Sequence, residues 1–384
     1  MRSFANLLVE LRGDTFGDGE IARAREQLAA RGFEIEETGE RDDALAAWID
    51  DSFGGGWSAE AYRGKNLVLS LAGSRVGFVT TEARGLRYAW LRGEATRAGS
   101  GLFGPFGIGS DYRGQGLGSA LALLACARLR ALGYERTVIP AVGEERLERF
   151  YSRAIGARVV ERIDERRWSE PRARVVAMAS GNGSNLQALF DAIASGEMPI
   201  EIVAVLSNRS ASHALVRARE ANVSNVIEAV WDRRNESREA YDRRLLDIVA
   251  QFAPEGVLLL GWMHLLGAPF VEHFPELLNL HPAYLPHDPS ANEVTLPDGS
   301  VQPAFRGAHA VRDALAVGSR WVGASVHRVT AATDRGEVLV RRALECTAAR
   351  TEDSVFAALR PIEHRVTVEA TRLWCYMRPT ISVV

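Results

Sequence analysis

Apolar and polar residues alternate differently in the two halves of the chain. In the first half, 67–71 and 76–80 are short β-prone runs flanking Ala72-Gly73-Ser74-Arg75, a spacing that predicts a hairpin. Apolar residues then recur at helical spacing over 117–132, directly after a glycine-rich turn. The second half is more regular. Segments 175–179, 202–207, 257–261, 277–280 and 324–329 read as buried strands, and helical stretches such as 186–194 and 238–251 separate several of them. Strands and helices in turn predict crossover units and a largely parallel sheet. In such sheets ligands bind beyond the carboxyl ends of the strands. Between the halves, 164–174 loses apolar patterning and carries Pro171, which predicts a linker. The expected architecture is α/β throughout, with a mixed α/β domain over 1–168 and a largely parallel, Rossmann-like domain over 174–375.

Length agrees with that division, since 384 residues exceed what one hydrophobic core supports. The net charge of −3 offers no electrostatic basis for binding nucleic acid or an anionic membrane. No apolar run reaches the roughly 18 residues of a membrane span; the nearest, 256–270, contains His264. The amino terminus lacks a basic head followed by an apolar core, so no secretory signal is expected. Cys126, Cys346 and Cys375 are few and scattered, which argues against a disulfide framework or a CxxC metal site and points to a cytoplasmic protein. Lys65 is the only lysine, so Schiff-base chemistry and a phosphate-loop lysine are not expected in the second half. These features leave small-molecule substrates as the expected partners and the oligomeric state open, a homo-oligomer included.

Three segments carry candidate chemistry in the second half. Ser180-Gly181-Asn182-Gly183-Ser184-Asn185 lies between a strand and a helix, where the amides of Gly183, Ser184 and Asn185 would face an anion. A well-capped βα turn has the same composition. Asn279-Leu280-His281-Pro282 closes a strand. Asn279 and His281 project to one side of it, and Pro282 holds His281 extended. A carboxamide and an imidazole on one side suit polarisation of a carbonyl, and one such donor is typically worth ~3–4 kcal/mol in a transition state. Asp334 sits in the loop after 324–329, where a carboxylate can orient His281 or guide a proton; Asp334-Arg335-Gly336 is also ordinary turn composition.

In the first half, Arg113-Gly114-Gln115-Gly116-Leu117-Gly118 follows the run 102–108 and opens a helix. It resembles the acetyl-CoA pyrophosphate loop of the GNAT acyltransferases. Phe150-Tyr151 and Gly156-Ala157-Arg158-Val159 follow in that family's order, so the resemblance covers roughly 7–162. It implies acetyl-CoA held by residues 113–118, with Tyr151 either a proton donor to the leaving thiolate or an amphipathic core tyrosine. The acceptor amine stays open.

The second half resembles the folate-dependent phosphoribosylglycinamide formyltransferase family. The segments that carry the resemblance are 180–187, Ser-Arg-Glu-Ala-Tyr-Asp-Arg at 237–243, Asn-Leu-His-Pro at 279–282, Ser-Val-His at 325–327, Asp334 and Glu363-His364. The resemblance implies 10-formyltetrahydrofolate as donor and Asn279, His281 and Asp334 as the catalytic trio. It implies that Gly183, Ser184, Asn185 and Arg238 hold a ribose phosphate, that Glu363 meets the glycinamide end, and that Met263, His264, Leu265 and Leu266 line a pterin pocket. Three departures stand out. His264 replaces an arginine, Arg335 replaces a glycine, and an insertion over 287–302 follows Leu285-Pro286. That insertion predicts a hairpin between 294–295 and 301 beside the catalytic edge, and Pro361 predicts a bend in the last helix. Because the insertion lies where acceptor choice is set, a second reading is a bifunctional enzyme that acetylates and formylates amines of a specialised metabolite. The phosphate turn and Arg238 oppose it. A catalytically silent acyl-CoA or folate sensor is a third.

Overall fold

Leu67, Leu69, Val76 and Val79 are buried on strands that the hairpin reading anticipates. The computed structural model describes residues 3–12, 16–83, 91, 93–164, 172–346 and 351–378. The chain folds as two compact units: Met1–Phe53, Trp57–Trp168 and Tyr376–Val384 in the first, Gly54–Gly56 and Ser169–Cys375 in the second. Most of the expected linker, 165–171, lies outside the described residues.

The first unit holds strands β1 (Ser3–Glu10), β2 (Phe33–Thr38), β3 (Lys65–Leu71), β4 (Ser74–Thr81), β5 (Ser100–Ile108), β6 (Arg136–Val142) and β7 (Arg158–Asp164). They form one sheet in the order β2-β3-β4-β5-β6-β1-β7. All neighbours are antiparallel except β5 and β6, which run parallel over Ser100–Leu102 and are joined by the helix Leu117–Ala131. β1 lies between β6 and β7, antiparallel to both. The helix buries Leu117, Leu121, Leu124, Ala125 and Leu129 against the sheet, each large apolar side chain contributing about 1.5–3 kcal/mol.

The second unit is built on β8 (Ala173–Met178), β9 (Ile200–Ser207), β10 (Val226–Glu228), β11 (Gly256–Leu259), β12 (Leu277–His281), β15 (Trp321–Arg328) and β16 (Val338–Glu345), in the order β10-β9-β8-β11-β12-β15-β16. The first five are parallel, and β15 and β16 are antiparallel. Val175, Val176, Ala177 and Met178 are fully buried, as a parallel strand covered on both faces requires. Because β8, β11 and β12 run the same way, the turns after Met178, Leu259 and His281 leave the sheet at one edge. The predicted hairpin within the insertion pairs β13 (Glu293–Thr295) with β14 (Val301–Pro303), Thr295 opposite Val301. The last helix, Glu352–Met377, is a single element that contains Pro361.

Candidate active site

Pleating of β12 turns Asn279 and His281 to the same face, and the antiparallel register sets Asn279 opposite His327 on β15. Asp334 arrives from the loop between β15 and β16. Its Oδ2 lies 3.5 Å from His281 Nδ1 and its Oδ1 3.3 Å from His327 Nε2. Asn279 Nδ2 is 3.2 Å from His327 Nε2 and donates across 3.5 Å to Asp334 Oδ1. The Gly307 amide donates to Asp334 Oδ2 at 2.7 Å. The trio expected from sequence therefore meets within hydrogen-bonding reach, with His327 as a fourth member. His327 appeared only as part of a motif in the sequence; its placement opposite Asn279 across the sheet gives it a direct contact with the carboxylate.

Neighbouring carbonyls assign the ring protons. His327 Nδ1 lies 2.8 Å from the Arg328 carbonyl and donates to it, while Nε2 faces Asn279 Nδ2 at 3.2 Å and Asp334 Oδ1 at 3.3 Å. His281 Nε2 donates to the Phe305 carbonyl at 3.0 Å, which turns Nδ1 towards Asp334. Burial pushes the His281 imidazole below its usual range, with Asp334 acting in the opposite direction. Burial alone would raise the Asp334 carboxyl, but the His327 hydrogen bond, the positive charge that His281 carries when protonated and the Gly307 amide bring it down to about 2. A carboxylate and a neutral ring nitrogen 3.5 Å apart can take up one proton and share it. Sequence casts the imidazole as a polarising donor; in the structure its Nε2 meets the Phe305 carbonyl and its Nδ1 faces Asp334.

The 180–185 turn ends β8. Gly183 adopts φ +74 as cap of the helix Ser184–Ala194, and a Cβ there would sit 2.6 Å from Ala214 Cα, so this position needs glycine for both conformation and packing. Arg217 fixes the turn by donating to the Asn182 carbonyl at 3.0 Å and to Asn182 Oδ1 at 3.1 Å, and Ser212 Oγ donates to the Gly181 carbonyl at 2.9 Å. No side chain caps the helix, which leaves its first amides for an anion. Asn185 Oδ1 is buried without a partner, and Asn185 Nδ2 lies 3.5 Å from Glu363 Oε2. Burial pushes the Glu363 carboxyl up, against the Asn185 hydrogen bond and Arg360.

Residues 263–266 follow β11. Met263 N donates to Ser180 Oγ at 3.0 Å, joining this loop to the 180–185 turn. Met263 and Leu265 are 57% and 70% exposed, while the His264 ring packs edge-on against Trp231, Tyr241 and Trp262. His264 Nδ1 and Trp262 Nε1 are buried without hydrogen-bond partners. Exposed apolar side chains over orphaned buried polar groups fit a flat, partly polar ring such as a pterin. Arg238 was expected at the phosphate. Its hydrogen bonds run to Asp242 at 2.9 Å and to the Leu265 carbonyl, and its guanidinium stacks 5.3 Å over Trp231, so its contacts join it to the 263–266 loop.

In the first unit, Gly114 and Gly116 hold φ +75 and +80, and a Cβ at either would meet nothing within 4 Å. The helix Leu117–Ala131 starts at Gly116 without a side-chain cap, so no side chain occupies its first amides, an arrangement that fits a pyrophosphate. Arg113 folds back on the Ile108 carbonyl at 3.0 Å, and Gln115 is held by Arg31 at 3.0 and 3.1 Å. Tyr151 is 6% exposed among Phe103, Phe106 and Phe150, and burial keeps its phenol protonated.

Comparisons with known proteins agree with both units. The family model described as formyl transferase matches residues 173–295 and 298–371, and that of the acetyltransferase (GNAT) family matches 25–157. The phosphoribosylglycinamide formyltransferase of Escherichia coli (strain K12) is 36% identical over 195 residues, covering 50% of this chain and 82% of its own length. That of Mycobacterium tuberculosis (strain CDC 1551 / Oshkosh) is 35% identical over 199 residues, 52% of this chain and 83% of its own. The crystal structure of glycinamide ribonucleotide transformylase 1 from Symbiobacterium toebii, at 31% identity, covers 53% of this chain and 87% of its own, with a TM-score of 0.46.

Proposed function

This chain belongs to the formyl transferase family, and from that premise we propose that its second unit moves the formyl group of 10-formyltetrahydrofolate onto the amine of phosphoribosylglycinamide. The GNAT-type first unit, on the same reading, uses acetyl-CoA bound over residues 113–118. The observation that carries the proposal is the meeting of Asn279, His281, His327 and Asp334 at the sheet edge that also holds the 180–185 turn. The donor supplies an activated formyl carbon and a nitrogen that takes up a proton on leaving.

Each residue then has a task. The Asn279 amide lies between His327 and Asp334 at 3.2 and 3.5 Å, contacts long enough to yield a donor N–H to a formyl oxygen that gains negative charge. Asp334 and His281 Nδ1 together accept the proton that the attacking amine must lose. Gly183, Ser184 and Asn185 cradle the acceptor's phosphate, and Glu363 faces the acceptor across Asn185. Met263, His264, Leu265 and Leu266 seat the pterin, with Arg238 bracing that loop through the Leu265 carbonyl. Holding both substrates along one edge supplies much of the acceleration.

The test is turnover by the full chain with 10-formyltetrahydrofolate, offered phosphoribosylglycinamide and a panel of unphosphorylated amines. A strong preference for the phosphorylated acceptor is expected. Equal use of simple amines would overturn the acceptor assignment.

A further inference from the structure

Two of this chain's departures from its family, the insertion and Arg335, touch each other beside the turn that carries the catalytic carboxylate. Arg335 Nη1 donates to the Pro289 and Ser290 carbonyls, both at 3.1 Å, and Nη2 donates to Asn292 Oδ1 at 2.6 Å. Arg306, just past the insertion, donates to the Ala291 carbonyl at 2.8 Å and to the Asp334 carbonyl at 3.1 Å. The residues on either side of Arg306 grip the site itself: the Phe305 carbonyl accepts from His281, and the Gly307 amide donates to Asp334. The far end is anchored too. Trp321 Nε1 donates to Asp298 Oδ2 at 2.9 Å, and Val294 and Leu296 are buried against Tyr284 and Trp321.

Asp334 needs such support. Its φ of +52 is a conformation that side-chain-bearing residues adopt at a cost of about 1–2 kcal/mol, so nearby contacts must hold it there. Gly336 is constrained separately, since a Cβ would lie 1.6 Å from the Arg328 carbonyl. Position 335 is where the family's glycine has become a five-donor fork, and the carbonyls it engages belong to the insertion.

We infer that Arg335 is a positioning residue: with Arg306 it ties the 287–303 segment to the Asp334 turn, so that the insertion holds the catalytic carboxylate and imidazole in register. Resting on the formyl-transfer reading, the inference predicts a loss in kcat. Arg335→Gly restores the family residue and removes three hydrogen bonds to the insertion. A displacement of about 1 Å at such a site can cost on the order of a hundredfold in rate. We expect kcat to fall at least tenfold while KM for both substrates changes less than twofold. Arg335→Lys, which keeps charge but loses the fork, should fall between the two. Guanidinium ion added to Arg335→Gly should restore part of kcat, which general destabilisation would not allow.

A second readout is independent of turnover. The Gly307 amide, bonded to Asp334, should exchange hydrogen at least tenfold faster in Arg335→Gly, while amides of β8 and β11 keep their protection. An unchanged kcat, a loss confined to acceptor KM, or an unaltered Gly307 exchange rate would each overturn the inference. If the wild-type chain transfers no formyl group to phosphoribosylglycinamide or to any other amine, the formyl-transfer reading fails. The Gly307 exchange rate then decides the positioning claim alone.

Discussion

Replacing Asp334 with asparagine keeps the side chain's shape and removes its charge. A shift from the ordinary 3.8 to about 2 corresponds to roughly 2 kcal/mol of preference for the ionised form in the fold. With the side chain 9% exposed, water screens little of that. Asp334→Asn should therefore cost the second unit roughly 2 kcal/mol near neutral pH. The sign with pH follows from a folded-state value below the unfolded one. The contribution is complete above about 4 and is lost as pH falls towards about 2, because the unfolded chain takes up the proton first. Hydrogen exchange of β12 and β15 amides across a urea series reports on this unit alone. The gap between wild type and variant should be full at pH 6 and nearly closed near pH 2. The same substitution removes the group that receives the amine proton, so kcat should fall by about 10²–10⁴. A stability gap that stays constant down to pH 2, or a kcat within tenfold of wild type, would refute this account of the carboxylate.

Other substitutions probe the rest of the edge. Gly183→Ala puts a Cβ against Ala214 at φ +74; about 1–3 kcal/mol of stability should be lost, with a higher KM for the phosphorylated acceptor in steady-state kinetics. Arg238→Ala should raise KM for the folate donor more than KM for the acceptor, since its contacts run to the 263–266 loop; the reverse split would return Arg238 to the phosphate. Burial raises the Glu363 carboxyl, so ionising it weighs against the fold as pH climbs through and above the ordinary 4.5. Glu363→Gln should thus be the more stable protein at pH 8, by urea unfolding, and a poorer catalyst with phosphoribosylglycinamide. Val in place of Gly116 adds a branched side chain at φ +80; acetyl-CoA binding by calorimetry should be lost while formyl transfer is retained.

Much of this arrangement was legible from residue order. The parallel strands of the second unit announce themselves because residues such as Val175, Val176 and Ala177 are apolar on both faces, a pattern only a doubly covered sheet tolerates. The strand pattern of β16 is masked because Arg341 and Arg342 interrupt its apolar run after Val340; Arg341 is nevertheless buried, stacked 4.3 Å over Tyr284. β10, at three residues, is too short for any periodicity to show. Within the site, alternation along one strand was enough to pair Asn279 with His281. His327 needed the register between β12 and β15, which residue spacing does not encode. The contacts of Arg335 lie more than 40 residues away along the chain, so its composition suggested only a bulky turn. Arg238, carried over by motif, makes contacts that spacing does not show, to Asp242 and the Leu265 carbonyl.

The placement of β1 between β6 and β7 bears on how the first unit comes into being. Ser3 pairs with Asp164 and Ala5 with Val142, so the interior seam of the sheet joins segments made early and late in synthesis. Until residue 142 has left the ribosome β1 has neither neighbour, and until residue 164 has left it one side stays unpaired, so its buried Leu7, Leu8 and Val9 wait incompletely covered. Trimming those eight residues would leave a gap in the middle of a sheet rather than shorten an edge. Nascent chains arrested before β7 should accordingly be digested by protease along their whole first unit, and those arrested well beyond it should resist.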